Sequence, residues 1–542
     1  MSDLEPILEL VRPRTFRKFW RAGAFGLRSA AGLLGSLPWL IGRGPSLGII
    51  TRLNASAVGA KPAIHDGRGS VTWADLDRRT NRVARLLAAR GLHAGDRVAT
   101  LLRNGREAVE VIIGAQKLGI VACPINTWAK PDELRSILKQ AEPKLLFYDV
   151  RHRDQVEPVR SDDLPLVMVG ALQGLEGAEP YDTVVDAESS APPAPFTRDR
   201  GSAQIVIHTS GTTGKPKGAS RAAGGRGIRE FAALIEVVPL HRDDVILCPA
   251  PLFHAFGMLA FTLGTLLGST LVLPDRFDPQ ESLDLIQRHR VTACAMVPVM
   301  LRRTVSLSED VLKAHDVGTV RIILASGSAL SQDLRERVAE VFGGVLYDLY
   351  GSTEAGWVAV ATPKDIRERP GTVGRPVPGV ELAAFSPQGE RAPAGETGEL
   401  HVRSEARFEG YLGEAEVEER DGFLALGDMG RVDEDGYLHV EGRGDDMVVI
   451  GGENVYPIEV EEAISKLDGV ADVAVLGVED DEYGQVLAAF YEGSADPDSI
   501  RKACKDALAS FKVPRRVEKV DSLPRTATGK VLKRDLLENR QE

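Results

Sequence analysis

Three features of the sequence predict an α/β protein with a smaller α+β unit at its C-terminal end. From residue 97 to residue 148, short apolar runs alternate as β, α, β, α, β, the pattern of a sheet covered by helices. The alternation returns at 292–297, 321–325 and 345–349, three apolar strands of which the last two are joined by a helix over 331–342. A right-handed β-α-β unit of this kind puts its strand ends on one edge of the sheet, where ligands usually bind. After Gly442 the texture changes: strands at 447–450, 473–478 and 485–491 are interleaved with a helix that Pro457 opens and another over 497–510. With 542 residues, 43% hydrophobic and 27% charged, the chain is long enough for one large globular domain and a smaller one.

The first stretch in order is 1–50. Its residues 11–50 carry seven Arg or Lys and no acid. The 14 uncharged residues 29–42 include Leu33, Leu34, Leu37, Trp39, Leu40 and Ile41. They fall short of the roughly 20 apolar residues a spanning helix needs, and Pro38 interrupts them. No signal peptide is expected, because the apolar stretch starts far from Met1 and no small-residue cleavage site follows. Two readings stand: a helix packed on the protein's own surface, or a basic amphipathic segment on anionic lipid. The globular body is expected from Ser70. There Thr72 and Asp75 read as a variant capping box for a helix through Arg90, with Leu76, Val83, Leu86 and Leu87 on one face. Strands at 97–102, 121–125 and 144–148 alternate with helices at 107–118 and 131–140. Residues 186–200, rich in Pro and Ser, form a surface connection. Residues 255–274 are uncharged for 20 positions, but the turn at Gly268 divides them into a helix and a short strand at 271–273, which rejects a membrane span.

The net charge of −12 argues against nucleic acid, so an anionic ligand has to be met by local basic patches. Cys123, Cys248, Cys294 and Cys504 are far apart and three lie in apolar runs, which suggests buried thiols in a reducing compartment. No Cys or His spacing makes a zinc site.

Residues 209–218 read TSGTTGKPKG and follow the β-branched run 204–207, so a strand is expected to feed an unobstructed loop. Gly211, Gly214 and Gly218 let the backbone turn and bring N–H groups to an anion; Thr209, Ser210, Thr212 and Thr213 add hydroxyls, and Lys215 and Lys217 add charge. This is not a Walker loop, which needs four residues between its first glycine and a Gly-Lys-Ser/Thr. Farther on, Tyr350, Gly351, Ser352, Thr353 and Glu354 leave a strand and end in a hydroxyl and a carboxylate, the hard oxygen chemistry that magnesium takes.

These strings, in this order, resemble the signatures of the acyl-adenylate-forming superfamily: acyl-CoA and aryl-CoA synthetases, firefly-type luciferases and the adenylation domains of peptide synthetases. The likeness spans 209–530 and implies a large multi-sheet N-terminal adenylate-forming domain, a small mobile α+β C-terminal domain, and use of ATP, Mg2+ and CoA. By resemblance, Thr209, Ser210, Gly211, Thr212, Thr213, Gly214 and Lys217 hold phosphates. Gly327, Ser328 and Ala329 line the adenine, and Asp348 accepts from its amino group. Tyr350 stacks near adenine beside Gly351 and Ser352, Thr353 touches the α-phosphate, and Glu354 with Thr209 holds magnesium. Asp428 accepts from the ribose, although Leu426 stands where the family usually has threonine. Arg443 binds ribose or phosphate, Asp445 is the hinge, and Gly451 and Gly452 admit the pantetheine arm of CoA. Lys530, in a run 511–534 with eight Arg or Lys against two acids, matches the catalytic cation. His254 matches the gate of the carboxylate site, and Trp357 falls among acyl-pocket positions.

The resulting expectation is an AMP-forming carboxylic acid:CoA ligase, with residues 1–50 as a basic apolar segment, 51–444 as the ATP- and acyl-binding domain and 445–542 as the mobile domain. A medium- or long-chain fatty acid is the favoured substrate, because the chain looks most like bacterial fatty-acyl-CoA synthetases. An aryl-acid CoA ligase and an enzyme loading a carrier protein are the rivals within the class. A catalytically dead acyl-nucleotide sensor is the rival outside it, but that would be expected to have lost Lys530 or Glu354. The expected location is the cytoplasm, with peripheral attachment to the inner membrane face through 11–50 as an open reading.

Overall fold

The computed structural model describes residues 17–19, 21–23, 46–171, 173–193, 204–210, 216–222, 226–404, 410–411, 419–450, 453–480, 484–508, 510–526 and 531–538. Two large sheets carry the N-terminal part. In the first, strands Val245–Leu247, Ala293–Met296, Ile322–Ala325 and Leu346–Ser352 run parallel in neighbouring register. Gly356–Ala361 folds back antiparallel on the last of these. In the second, Arg97–Leu101, Val121–Pro124, Leu145–Asp149 and Gln204–Ser210 are parallel, and Pro216–Ala222 returns antiparallel. A third sheet, built on Gly398–Arg403 and Phe423–Val432, closes the N-terminal part. The C-terminal part is the hairpin of Val448–Ile450 and Glu453–Val455 beside the sheet of Val470–Asp480, Gly484–Gly493 and Arg516–Lys519. This is the α/β architecture with a smaller C-terminal domain that the alternation implied.

The largest core cluster lies between the two big sheets, where Ile246, Cys248, Ala293, Ala295, Ile322 and Leu324 face the helices Arg226–Val237 and Ala255–Leu267. The opposite face of the first sheet packs Leu247, Cys294, Met296, Ile323 and Ala325 against Leu334 and Val338 of the helix Gln332–Phe342. Both faces are covered, which is why these strands read as continuous apolar runs instead of alternating ones.

Most element boundaries fall within one or two residues of expectation, and Thr72 caps the helix Trp73–Ala89 by accepting from the Asp75 N–H. Two expectations need correction. The body does not begin at Ser70. The helix Leu47–Val58, capped by Ser46, and the strand Pro62–Asp66 precede it, and Leu47, Ile64 and Phe19 all belong to the main core. A boundary at residue 50 would cut that helix. The backbone N–H of Arg242 donates to Ala22 O at 2.8 Å, so the described part of the basic segment is strapped to the body. The phosphate motif is also less of a loop than expected. Thr209 pairs with Lys217 and Ser210 with Pro216 in a β-ladder, and only 211–215 lie beyond it, outside the described residues. Pro216 is the first residue of its strand, a position where its missing N–H is tolerated.

All four cysteines are buried free thiols. Burial pushes Cys123, Cys248 and Cys294 up to about 12, which leaves them unreactive. Among the described residues, no helix is long and apolar enough to cross a membrane.

Candidate active site

Parallel strands end together, and the segments that leave their C-terminal ends make the site. In the first sheet these are the turn 248–254, the segment 326–330 and the turn at Thr353 and Glu354. Gly327 sits at φ +101°, a conformation that favours glycine, and together with Ser328 and Ala329 it is exposed at the edge, as a wall for a planar base requires. Thr353 and Glu354 occupy the hairpin turn between Leu346–Ser352 and Gly356–Ala361, where Ser352 Oγ accepts from the Ala355 N–H at 3.0 Å. Tyr350, Gly351 and Ser352 are thus still strand, and the turn itself is shorter than the motif. Glu354 is half-buried at this edge. A single carboxylate beside a hydroxyl fits magnesium, which draws most of its shell from water and phosphate.

Tyr350, Asp428 and Arg443 form a connected group. Tyr350 Oη donates to Asp428 Oδ2 at 2.5 Å, and Arg443 Nη1 donates to Leu426 O at 3.1 Å and lies 3.4 Å from Asp428 Oδ1. Strand register brings this about, since Asp428 and Arg443 are ladder partners. Burial, then the Asp428 charge, pushes the Tyr350 phenol well above its usual range, so it stays a donor. Leu426 packs with Leu400, Leu424 and Leu438 in the core of the third sheet, so the hydroxyl that the family places there is replaced by apolar packing.

Within the protein, Asp348 is paired with Arg335. It is 4% exposed, on the sheet face that packs against the helix Gln332–Phe342, and Arg335 Nη2 donates to its Oδ2 at 2.7 Å. Burial raises the Asp348 carboxyl to about 6 against the opposing pull of Arg335. This ion pair ties the helix Gln332–Phe342 to the strand that carries Tyr350.

His254 precedes the helix Ala255–Leu267, with its ring 4.6 Å from that of Phe253. Burial lowers it to about 4, so it is neutral near pH 7, and its Nε2 has no partner among the described residues. Its turn is held by Asn104, which sequence reasoning missed. Asn104 Nδ2 donates to Cys248 O (3.3 Å) and Ala250 O (3.0 Å), and Oδ1 accepts from the Leu252 N–H (2.9 Å). Asn104 comes from just beyond the end of Arg97–Leu101, so one side chain bolts the edge of the second sheet to the turn that leads into His254 in the first. A lone Asn after a strand carries no sequence signal for such a contact. Gly257 makes the same packing possible, because a Cβ there would lie 2.2 Å from Pro251 O.

Thr209 and Lys217 face each other across the ladder that ends at the phosphate motif. Gly211, Thr212, Thr213, Gly214, Gly451, Gly452 and Lys530 lie outside the described residues. Arg525 and Val531 form a β-bridge on either side of 527–530. Lys533, another residue the sequence did not mark, lies 3.4 Å from both Asp446 and Glu461, linking the C-terminal helix to the Gly444–Asp446 turn that contains Asp445.

The profile of the AMP-binding enzyme family matches residues 52–412, and that of the AMP-binding enzyme C-terminal domain matches 459–530. The chain is 34% identical over 480 residues to a feruloyl-CoA synthase of Amycolatopsis sp, covering 87% of this chain and 94% of the relative. It is 32% identical over 506 residues to the fatty acid–[acyl-carrier-protein] ligase ScoC of Streptomyces coeruleorubidus, covering 90% and 95%. The crystal structure of the anthranilate CoA ligase AuaEII in complex with anthranoyl-AMP superposes with a TM-score of 0.84 at 28% identity, covering 92% of this chain and 97% of that one.

Proposed function

We propose, from the premise that this chain belongs to the AMP-binding enzyme family and is an ATP-dependent acyl-CoA ligase, that its acid is hydrophobic, a medium- or long-chain fatty acid first of all. The observation that carries this reading is that the segments bearing His254, Gly327 to Ala329, and Thr353 with Glu354 all leave the C-terminal ends of parallel strands in one sheet, beside the apolar main core. ScoC, by its name a fatty acid ligase, supports the aliphatic reading. The tilted pair of Phe231 and Trp357, with ring centroids 4.9 Å apart, and the feruloyl-CoA synthase likeness favour a second reading, an aryl acid.

In this reading the acid enters past neutral His254, which adds no charge to compete with the reacting carboxylate. Tyr350, Asp428 and Arg443 hold the nucleoside, and Thr209, Ser210 and Lys217 with 211–214 hold its phosphates. Glu354, with Thr209, would hold Mg2+, which when bound neutralises charge on the phosphate oxygens. Lys530 supplies the cation at the α-phosphate during the acid's attack. The small domain then turns about Asp445, and Gly451 and Gly452 admit the pantetheine arm. Lys533 draws the C-terminal helix to that hinge turn. The segment 11–50, with seven cations and no acid, would dock the enzyme on an anionic lipid surface.

A panel of fatty and aryl acids, assayed for pyrophosphate release and for CoA thioester by mass spectrometry, tests the proposal. Lys530→Ala should cut adenylate formation by about a hundredfold to a thousandfold, and thioester formation from supplied acyl adenylate far less. Equal losses in both half-reactions would contradict the role given to Lys530.

A further inference from the structure

The indole of Trp357 is 5% exposed and belongs to the cluster that also holds Ala232 to Ile235 of one covering helix and Ala250, Leu252, Met258 and Phe261 around the other. Its position follows the turn of Thr353 and Glu354 by three residues, so it stands directly behind the site edge. Phe231 covers its ring at an interplanar angle of 44°. A tryptophan N–H can only donate, and buried ones normally find an acceptor. The Nε1 of Trp357 has none among the described residues. His254 Nε2, in the turn that leads into the helix Ala255–Leu267, is buried in the same condition. The surrounding side chains offer carbon, and a plain hydrocarbon chain would leave both nitrogens unmet.

We propose that the acid carries a hydrogen-bond acceptor on its hydrocarbon part, a keto, ether or hydroxyl oxygen, that receives the Trp357 indole N–H. This rests on the ligase reading above and names the substrate class for it. It cuts across the fatty and aryl alternatives, because either skeleton can carry such an oxygen. Meeting a buried donor that is otherwise unpaired favours the oxygen-bearing acid over its hydrocarbon match by about tenfold to a hundredfold.

Matched pairs test it on the full-length protein. One set is decanoic acid against its oxo isomers, with the carbonyl moved along the chain. The other is para-ethylcinnamic against para-methoxycinnamic acid, nearly the same shape with oxygen in place of a methylene. The kcat/KM for pyrophosphate release is measured for wild type and for Trp357→Phe. In wild type at least one oxygen-bearing acid should exceed its match by tenfold or more, and in Trp357→Phe that ratio should fall towards one. Each ratio is taken within one protein, so a general loss of activity cancels. A second readout needs no variant: the indole N–H proton resonance of Trp357 should move downfield with the preferred acid bound and not with its match. Ratios within twofold of one across the panel, or a ratio that survives Trp357→Phe, overturn the proposal and leave the ligase reading standing. Release of pyrophosphate from no acid overturns both.

Discussion

Removing the Asn104 side chain should misplace the gate without touching the nucleotide. Its three hydrogen bonds hold Cys248, Ala250 and Leu252, the residues that lead into His254. Each such bond contributes about 0.5–1.5 kcal/mol net, so Asn104→Ala should cost about 2–4 kcal/mol in the preference of this turn for its position. The turn is closed locally as well, with the His254 N–H donating to Pro251 O and the Met258 N–H to His254 O, so roughly 2–3 kcal/mol of that loss should appear as gate misplacement and the rest be absorbed. At about 1.4 kcal/mol per tenfold, the kcat/KM measured with acid varied should fall about 30-fold to 150-fold. Asn104→Asp keeps the acceptor for Leu252 but sets a carboxylate against two carbonyls, and should be at least as damaging. The assay is pyrophosphate release with acid varied at saturating ATP, and ATP varied at saturating acid, beside a thermal melt. A kcat/KM for acid within twofold of wild type would refute the gate-positioning role. So would a melt lowered by several degrees with the same proportional loss in KM for both substrates, which would make Asn104 merely structural.

Three further outcomes are expected. The folded-state pKa of His254 is depressed to about 4 from 6.5, so its contribution is fully present above pH 6.5 and is lost as pH falls towards 4, at most about 3 kcal/mol. His254→Phe should flatten the fall of the urea midpoint between pH 7 and 5 only in part, because His208 is lowered by burial in the same sense; an unaltered slope counts against it. Arg335→Met should destabilise by about 3–5 kcal/mol by stranding the Asp348 charge, and Arg335→Met with Asp348→Asn should recover most of that in denaturant melts. Failure of the double variant to recover would remove the ion pair as the cause. Replacing Leu33, Leu34, Leu37, Trp39, Leu40 and Ile41 by Ser should abolish salt-sensitive pelleting with anionic vesicles, where each nearby cation adds about 1 kcal/mol, and leave adenylation of short soluble acids intact. Pelleting that persists in the Ser variant, or is absent from wild type, ends the lipid reading.

The motifs were legible because their chemistry is local. A run of glycines and hydroxyls after a strand, or a Thr-Glu turn at a strand end, means much the same wherever it folds, and family resemblance adds to this by matching ordered strings. The strand-helix alternation was legible for a similar reason, since burial on both faces writes apolar runs directly into the sequence. Partners set by register and by crossings between sheets were not. Nothing near Asp348 in sequence announces that it faces Arg335, because the pair depends on which sheet face the strand presents to the preceding helix. The start of the body, ahead of Ser70, is not legible because Phe19 and Leu47 join a core that reaches as far along the chain as Trp357 and Val377.

By itself, the sequence determined the α/β class, the order of the elements, the adenylate-forming signatures and the titratable residues available to them. Tertiary structure alone decided that Tyr350, Asp428 and Arg443 are one connected group, that Asn104 holds the turn leading into His254, and that the indole N–H of Trp357 is buried with no acceptor among the described residues. The physical reason is distance along the chain. Propensity, capping and turn chemistry act over a few residues, whereas a hydrogen bond between residue 104 and residue 250 exists only once the two sheets have packed together around the shared core.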